Sequence, residues 1–123
     1  ALRIRKVFGG GMRQAGYLAA AGSYALKHHR SDLSIDHKKA KEIANTLKNC
    51  TYVNEINPVE TNIIIFSLKN KYDEVSFVQK LKNKNILIMS LGKGKLRIVT
   101  HRDYTDDQHS YLLKTLPKMD YYA

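Results

Sequence analysis

Hydrophobic positions along the chain follow two periods, and the changes between them outline the elements. Residues 1–8 mix basic and apolar positions, and Gly9-Gly10-Gly11 then interrupts any regular element. From Met12 to about His29 the pattern predicts a long helix with Ala15, Leu18, Ala19, Ala21, Ala25 and Leu26 on several sides. A helix without one narrow apolar stripe expects partners on more than one face. Ser31-Asp32 supplies a capping signal for a second helix of about fifteen residues. Its apolar side is read as Leu33, Ala40, Ile43, Ala44 and Leu47, with Lys38, Lys39, Lys41 and Glu42 towards water.

The period then shortens. Cys50 to Val53 reads as a short strand, Asn57-Pro58 as a turn, and Asn62 to Leu68 as a β-branched strand central to a sheet. Tyr72 to Leu81 returns to helical spacing through Val75, Val78 and Leu81. Ile86 to Leu91 and Lys95 to Thr100 form two strands around Gly92-Lys93-Gly94, a hairpin pattern. Thr105-Asp106-Asp107 opens a last helix, acidic at its positive end, which runs through Tyr111, Leu112 and Leu116 to Pro117. The order predicts an α+β fold, helices packed on a small, mostly antiparallel sheet.

With 123 residues, 43% of them hydrophobic, the chain supports a single core that buries roughly two thirds of its unfolded surface. Two prolines, seven glycines and no low-complexity run or internal period argue against disorder and repeat arrays. A formal charge of +10 and a pI near 9.7 favour anionic partners, with nucleic acid as the default. The layout weakens that default: lysines spread over Lys38–Lys48, Lys69–Lys84 and Lys93–Lys95, with no arginine block and no aromatic ladder to stack bases. Cys50 is the single cysteine, a plain thiol that fits a reducing compartment such as the cytosol. The apolar run from Ala15 to Leu26 is too short to span a bilayer. With Arg13 before it the run has a superficial signal-peptide look, against which stand the residues ahead of Met12 and the scarcity of leucine.

Two places invite chemistry. Three glycines before a helix can present backbone N–H groups and a positive helix end to a phosphate or carboxylate, with Lys6 and Arg13 flanking; a plain hinge is the other reading. Arg97 sits among Leu96, Ile98 and Val99, so it either faces water, pairs with an acid of a neighbouring helix, or meets a specific anion through its planar fork. His101 and the His28-His29 pair lack further ligands at metal spacing and read as structural, so no metal is expected. Ser23, Cys50 and the histidines form no nucleophile–base pattern, and Asp103, Asp106 and Asp107 read as capping charges. No complete catalytic set is visible.

At the glycines the string Arg5-Lys6-Val7-Phe8-Gly9-Gly10-Gly11-Met12-Arg13-Gln14-Ala15-Gly16, followed by Leu18-Ala19-Ala20-Ala21-Gly22, resembles the block that follows the cofactor lysine in the threonine aldolase family. Three further blocks follow in that family's order: Leu33-Ser34-Ile35-Asp36-His37 with Ala40-Lys41, then Val59-Glu60-Thr61-Asn62-Ile63, then Arg97-Ile98-Val99-Thr100-His101-Arg102-Asp103. The resemblance covers nearly the whole chain.

The resemblance implies the small C-terminal domain of a fold-type I pyridoxal 5'-phosphate enzyme, residues 31–123, preceded by a glycine loop and linking helix, residues 1–30, that lead to a large domain. It implies a lyase that cleaves threonine or allo-threonine to glycine and acetaldehyde and works as a homo-oligomer, dimer or tetramer; the single cysteine and the lack of an address signal give the expectation of a cytoplasmic location. Arg97 matches the arginine that grips the substrate α-carboxylate, and Lys6, Arg13 and Gly9, Gly10 and Gly11 match positions near the cofactor phosphate and substrate. The family's Schiff-base lysine, ring-stacking histidine and pyridine-nitrogen aspartate have no counterpart in this sequence. The expectation is therefore a fragment or truncated product that is inactive alone. A basic α/β module binding RNA or another polyanion without catalysis is the alternative, and a non-catalytic remnant pairing with full-length subunits is a third reading.

Overall fold

The computed structural model of the chain describes residues 1–70 and 72–122, with residues 120–122 described by their backbone. Two compact units emerge, Ala1–Ser31 and Asp32–Ala123. In the first, helix α1 spans Leu2–Val7 and helix α2 spans Gly16–His28. The short α1 was not legible in the sequence. Helix α2 starts four residues later than the apolar pattern predicts, because Gln14 takes a left-handed φ of 53° that ends any helix reaching back to Met12. Neither helix has a buried residue, and Phe8 and Tyr17 are 85% and 91% exposed. Tyr24 stacks on His28 with ring centroids 4.4 Å apart, a local role for that histidine.

The second unit contains α3 (Leu33–Lys48), β1 (Val53–Ile56), β2 (Ile63–Leu68), α4 (Glu74–Lys82), β3 (Met89–Gly92), β4 (Lys95–Val99) and α5 (Asp106–Thr115), the last continuing as a 3-10 turn over Leu116–Tyr122. The strands form one sheet in the order β1-β2-β4-β3, and all three pairings are antiparallel. The expected α+β class, the central strand and the hairpin are all present. Gly92, Lys93 and Gly94 have φ of 82°, 55° and 73°. Three successive left-handed residues turn the chain between β3 and β4, and glycine holds two of those positions without the penalty a Cβ would carry.

Strand β2 alternates strictly: Ile64, Phe66 and Leu68 are buried while Ile63, Ile65 and Ser67 are not. Strand β4 does the same with Leu96 and Ile98 inward. Because side chains alternate across a strand, one face of the sheet carries the core. Ala40, Ile43, Ala44 and Leu47 of α3, Phe77 and Leu81 of α4, and Leu112, Leu116 and Met119 complete it. Tyr52 is fully buried, its ring 4.9 Å from that of Phe77 and its hydroxyl donating to the Leu116 carbonyl at 3.1 Å.

Several expectations need correction. Helix α3 buries Asp36 rather than Leu33, which is 51% exposed. The cause is that a 3-10 turn over Arg30–Asp32 runs straight into the helix, and Asp32, itself in helical conformation, forms no side-chain cap. Lys39 and Glu42 turn partly inward instead of facing water. Strand β1 starts at Val53, later than expected, after a turn that covers Thr51 and Tyr52. Strand β3 starts only at Met89, so Ile86–Ile88 lie outside the ladder. In α4 the buried positions are Phe77 and Leu81, and Val75 is 69% exposed.

The helix starts that matter are capped by side chains. The Asp73 carboxylate accepts from the Ser76 N–H at 2.7 Å, and this bond holds its pKa below the usual carboxylate range. Thr105 and Gln108 form a reciprocal capping box at α5. Thr105→Ala should lower the stability of the chain by about 1 kcal/mol, read as a shift of the urea midpoint. Thr105→Ser, which keeps the oxygen, should leave that midpoint nearly in place.

Candidate functional site

On the sheet face opposite the core the fold leaves a charged group among apolar side chains. On it Ile65 of β2 and Met89 of β3 stand in register with Arg97 of β4, and Ile63 pairs with Val99 one step along. Ile63, Met89 and Val99 are each about two fifths to one half exposed, so this face is open. The hairpin beneath is anchored by Glu74: one carboxylate oxygen accepts from Ser90 Oγ at 3.1 Å and the other from the Gly94 N–H.

Arg97 itself is half-buried. Its Nε is enclosed and has no hydrogen-bond partner among the described residues. Its Nη2 donates to the Met89 sulfur at 3.0 Å. Arg97 is not a member of the ion pairs Lys39–Asp106, Arg102–Asp32 and His109–Glu42, so among the described residues it has no helix acid as a partner. An enclosed N–H left unsatisfied costs about 1–3 kcal/mol, and the guanidinium otherwise keeps its whole charge. Chemically, a guanidinium fork of this kind is able to donate paired hydrogen bonds to a small planar anion.

The glycine loop has a different geometry from the one its sequence invites. Gly9, with φ of 81°, donates its N–H to the Lys6 carbonyl at 3.1 Å, and Gly10 donates to the Arg5 carbonyl at 2.7 Å. This pair of bonds is a Schellman cap on α1. Gly11 donates to Gly9 at 3.0 Å. A Cβ on Gly10 would lie 2.8 Å from the Arg5 carbonyl oxygen, so the second glycine is required by close approach. The three N–H groups are therefore occupied, and the positive end of α2 begins only at Gly16. Lys6 and Arg13 are exposed and form no ion pair among the described residues.

A second polar cluster ties α3 to α5 and was missed in the sequence because its members lie far apart along the chain. His109 is buried; its Nε2 lies 2.8 Å from Glu42 Oε2 and its Nδ1 3.2 Å from the Tyr104 hydroxyl. An ionised carboxylate only accepts, so Nε2 carries the proton and Nδ1 can accept from Tyr104. Lys39 Nζ donates to the Tyr104 carbonyl and to Asp106, each at 2.7 Å, which holds the Asp106 carboxyl below its usual range. Thr100 Oγ1, fully buried, donates to the Asp36 carbonyl at 2.9 Å, pinning the end of β4 to α3. Asp106, read in the sequence as a capping charge, is also this ion-pair partner. His101 is exposed and lines a cavity of about 340 Å³ with Tyr104, Gln108 and Tyr111; Arg97 is not among its lining residues. Among the described residues no group of three His, Cys, Asp or Glu side chains could hold a metal, and no helix is long and apolar enough to cross a membrane.

The profile of the beta-eliminating lyase family matches residues 1–71. The chain belongs to that family. Among curated relatives, low-specificity L-threonine aldolase 1 of Arabidopsis thaliana is 34% identical over 113 residues, which are 89% of this chain and 32% of the relative. Low specificity L-threonine aldolase of Escherichia coli (strain K12) is 36% identical over 108 residues, 88% of this chain and 31% of the relative. The chain thus spans about a third of the length of the curated relatives it matches.

Solved structures agree on the fold. Histidinol-phosphate aminotransferase from Clostridium acetobutylicum matches with a TM-score of 0.58 at 14% identity, over 70% of this chain and 26% of that one. The cystine C-S lyase C-DES matches with a TM-score of 0.57 at 15% identity, over 67% and 22%. A C-DES variant with glycine covalently linked to its PLP cofactor matches with a TM-score of 0.58 at 14% identity, over 71% and 24%. The fold is that of the small α+β domain of fold-type I enzymes, as the resemblance implied. Membership of this family leaves the polyanion-binding alternative without support.

Tyr104 provides a check on the cluster. Burial pushes its phenol up to about 12, whereas an unfolded tyrosine ionises near 10. The folded state then holds a proton that the unfolded state has lost, so this contribution to stability is complete below about pH 10 and disappears as the pH rises towards 12. An ultraviolet titration of the folded chain should show a late phenol that Tyr104→Phe removes.

Proposed function

We propose that the chain is the C-terminal portion of a pyridoxal-phosphate-dependent threonine aldolase, in which Arg97 binds the α-carboxylate of a β-hydroxy amino acid. The observation that carries this reading is the guanidinium itself, seated on an open apolar sheet face with an enclosed Nε that has no partner, and with no ion pair to an acid, among the described residues. A substrate carboxylate is an anion of the right size and planarity for such a fork. The names of the relatives, threonine aldolases from a plant and a bacterium, support this substrate class.

Pyridoxal phosphate, when bound, supplies the electron sink for cleavage between Cα and Cβ. The work of this chain is orientation. Arg97 fixes the carboxylate by charge-assisted bonds, and that fixed direction aligns the bond to be broken. Ile63, Ile65 and Val99 make the surroundings apolar, which strengthens the ionic contact by keeping water away. Lys6 and Arg13 are exposed and form no ion pair among the described residues, and their side chains would hold the cofactor phosphate, since the N–H groups of Gly9 and Gly10 serve the cap of α1 and that of Gly11 bonds the Gly9 carbonyl. The chemistry of the donors fits the group.

In this reading residues 31–123 are the small domain and residues 1–30 the glycine loop and linking helix. The linking segment exposes Leu2, Ile4, Val7, Phe8, Leu18 and Leu26, each by more than 60%, an apolar surface that calls for cover by a large domain and a second subunit of a cytoplasmic homo-oligomer. The cofactor lysine belongs to the large domain, so the chain by itself is inactive.

Arg97→Lys in the intact enzyme should lower kcat/KM for threonine by about tenfold to hundredfold, the loss expected for a bidentate charged contact. The thermal midpoint should stay within a degree or two, as about 0.5 kcal/mol is usual for a change at a partly exposed position. Steady-state kinetics with a melting curve on the same sample checks both, and unchanged kcat/KM would refute the assignment.

A further inference from the structure

The strand beside Arg97 contributes a second residue to the same face. Met89 stands across the β3–β4 ladder from Arg97, and its sulfur accepts the Nη2 hydrogen at 3.0 Å. Ile65 stands across the β2–β4 ladder. The guanidinium therefore lies between two side chains that offer it no oxygen. Met89 is 51% exposed, yet the backbone that carries it is well tied. Ser90 donates to Glu74, Gly94 donates to the second oxygen of the same carboxylate, and the Gly92 N–H donates to Ser90 Oγ at 3.1 Å.

A thioether is a weak, neutral and polarisable acceptor. It can direct a guanidinium without neutralising it. A carboxylate in the same place would saturate the fork before any ligand arrived, and an amide oxygen would compete with the ligand for the same hydrogens. Of the five N–H donors of an arginine, a single Nη2 hydrogen is engaged here, and the charge stays available.

We propose that Met89 is a positioning residue for Arg97: its sulfur fixes the guanidinium through Nη2 and, being a poor acceptor, leaves the fork free for the substrate carboxylate. This inference rests on the reading of Arg97 as the carboxylate site. It makes position 89 a determinant of KM rather than of chemistry, because it acts on binding through another side chain.

Three substitutions at one position grade the acceptor. Met89→Leu removes it while conserving volume, Met89→Gln installs a stronger neutral acceptor, and Met89→Glu installs an anion. In the intact, cofactor-loaded enzyme, Met89→Leu should raise KM for threonine about two- to tenfold with kcat nearly unchanged. Met89→Glu should raise it by about tenfold to hundredfold, with Met89→Gln between the two. Calorimetric binding of propionate to the same proteins, a readout independent of turnover, should weaken in the same order. All three variants should melt with the parent, since the position is half exposed.

If the three variants match the parent in KM and in propionate binding while Arg97→Lys is impaired, the role of Met89 is overturned and that of Arg97 stands. If Arg97→Lys binds propionate as well as the parent does, both fall. A fall in KM for Met89→Leu also overturns the proposal, because the sulfur would then be obstructing the fork rather than aiming it.

Discussion

A guanidinium held on an open sheet face with its Nε enclosed and without a hydrogen-bond partner among the described residues is an arrangement that the rest of the domain has to maintain. Left alone, an arginine side chain is long and mobile and would turn to water. Here it is fixed because β4 is an inner strand, bonded on one side to β2 and on the other to β3. The strict alternation of β4 sends Leu96 and Ile98 into the core and Arg97 to the other side. Burial of Ile64, Phe66, Leu68, Leu96 and Ile98 against α3, α4 and α5 thereby fixes where the charge points. A one-residue slip of the ladder would put Arg97 into the core, and the cost of an unpaired buried charge forbids it.

Much of this was legible in the sequence. The β-branched run of Asn62–Leu68, the strand at Lys95–Thr100, the Gly92-Lys93-Gly94 turn and the Thr105 helix start each report local backbone chemistry, and the structure has the corresponding element at each. Arg97 stood out because a charge between Leu96 and Ile98 contradicts its surroundings. The failures came where partners decide. Leu33 belonged to the apolar side by spacing, yet it is 51% exposed while Asp36 is buried, its carbonyl receiving the hydroxyl of Thr100, sixty-four residues away. Met89 carries no local signal at all, since its importance comes from the register of β3 on β4.

The glycine loop shows how a motif can be right in composition and different in mechanism. Three glycines ahead of a helix suggested free N–H groups for an anion. The bonds of Gly9 and Gly10 to carbonyls of α1, and the crowding that a Cβ on Gly10 would meet, explain two of the three glycines through helix termination. Any anion near this loop is left to side chains such as Lys6 and Arg13. The cluster of Lys39, Glu42, Tyr104, Asp106 and His109 plays the structural part for α5 that no single apolar contact does, joining its first turn to α3 by hydrogen bonds.

The most direct test of the account is a crystal structure of the intact protein with pyridoxal phosphate and an amino-acid ligand bound. The account predicts two oxygens of the ligand's α-carboxylate within about 3 Å of the Arg97 guanidinium nitrogens, with the Met89 sulfur still on Nη2. A ligand carboxylate bound by another basic residue, with Arg97 turned to solvent, would contradict it.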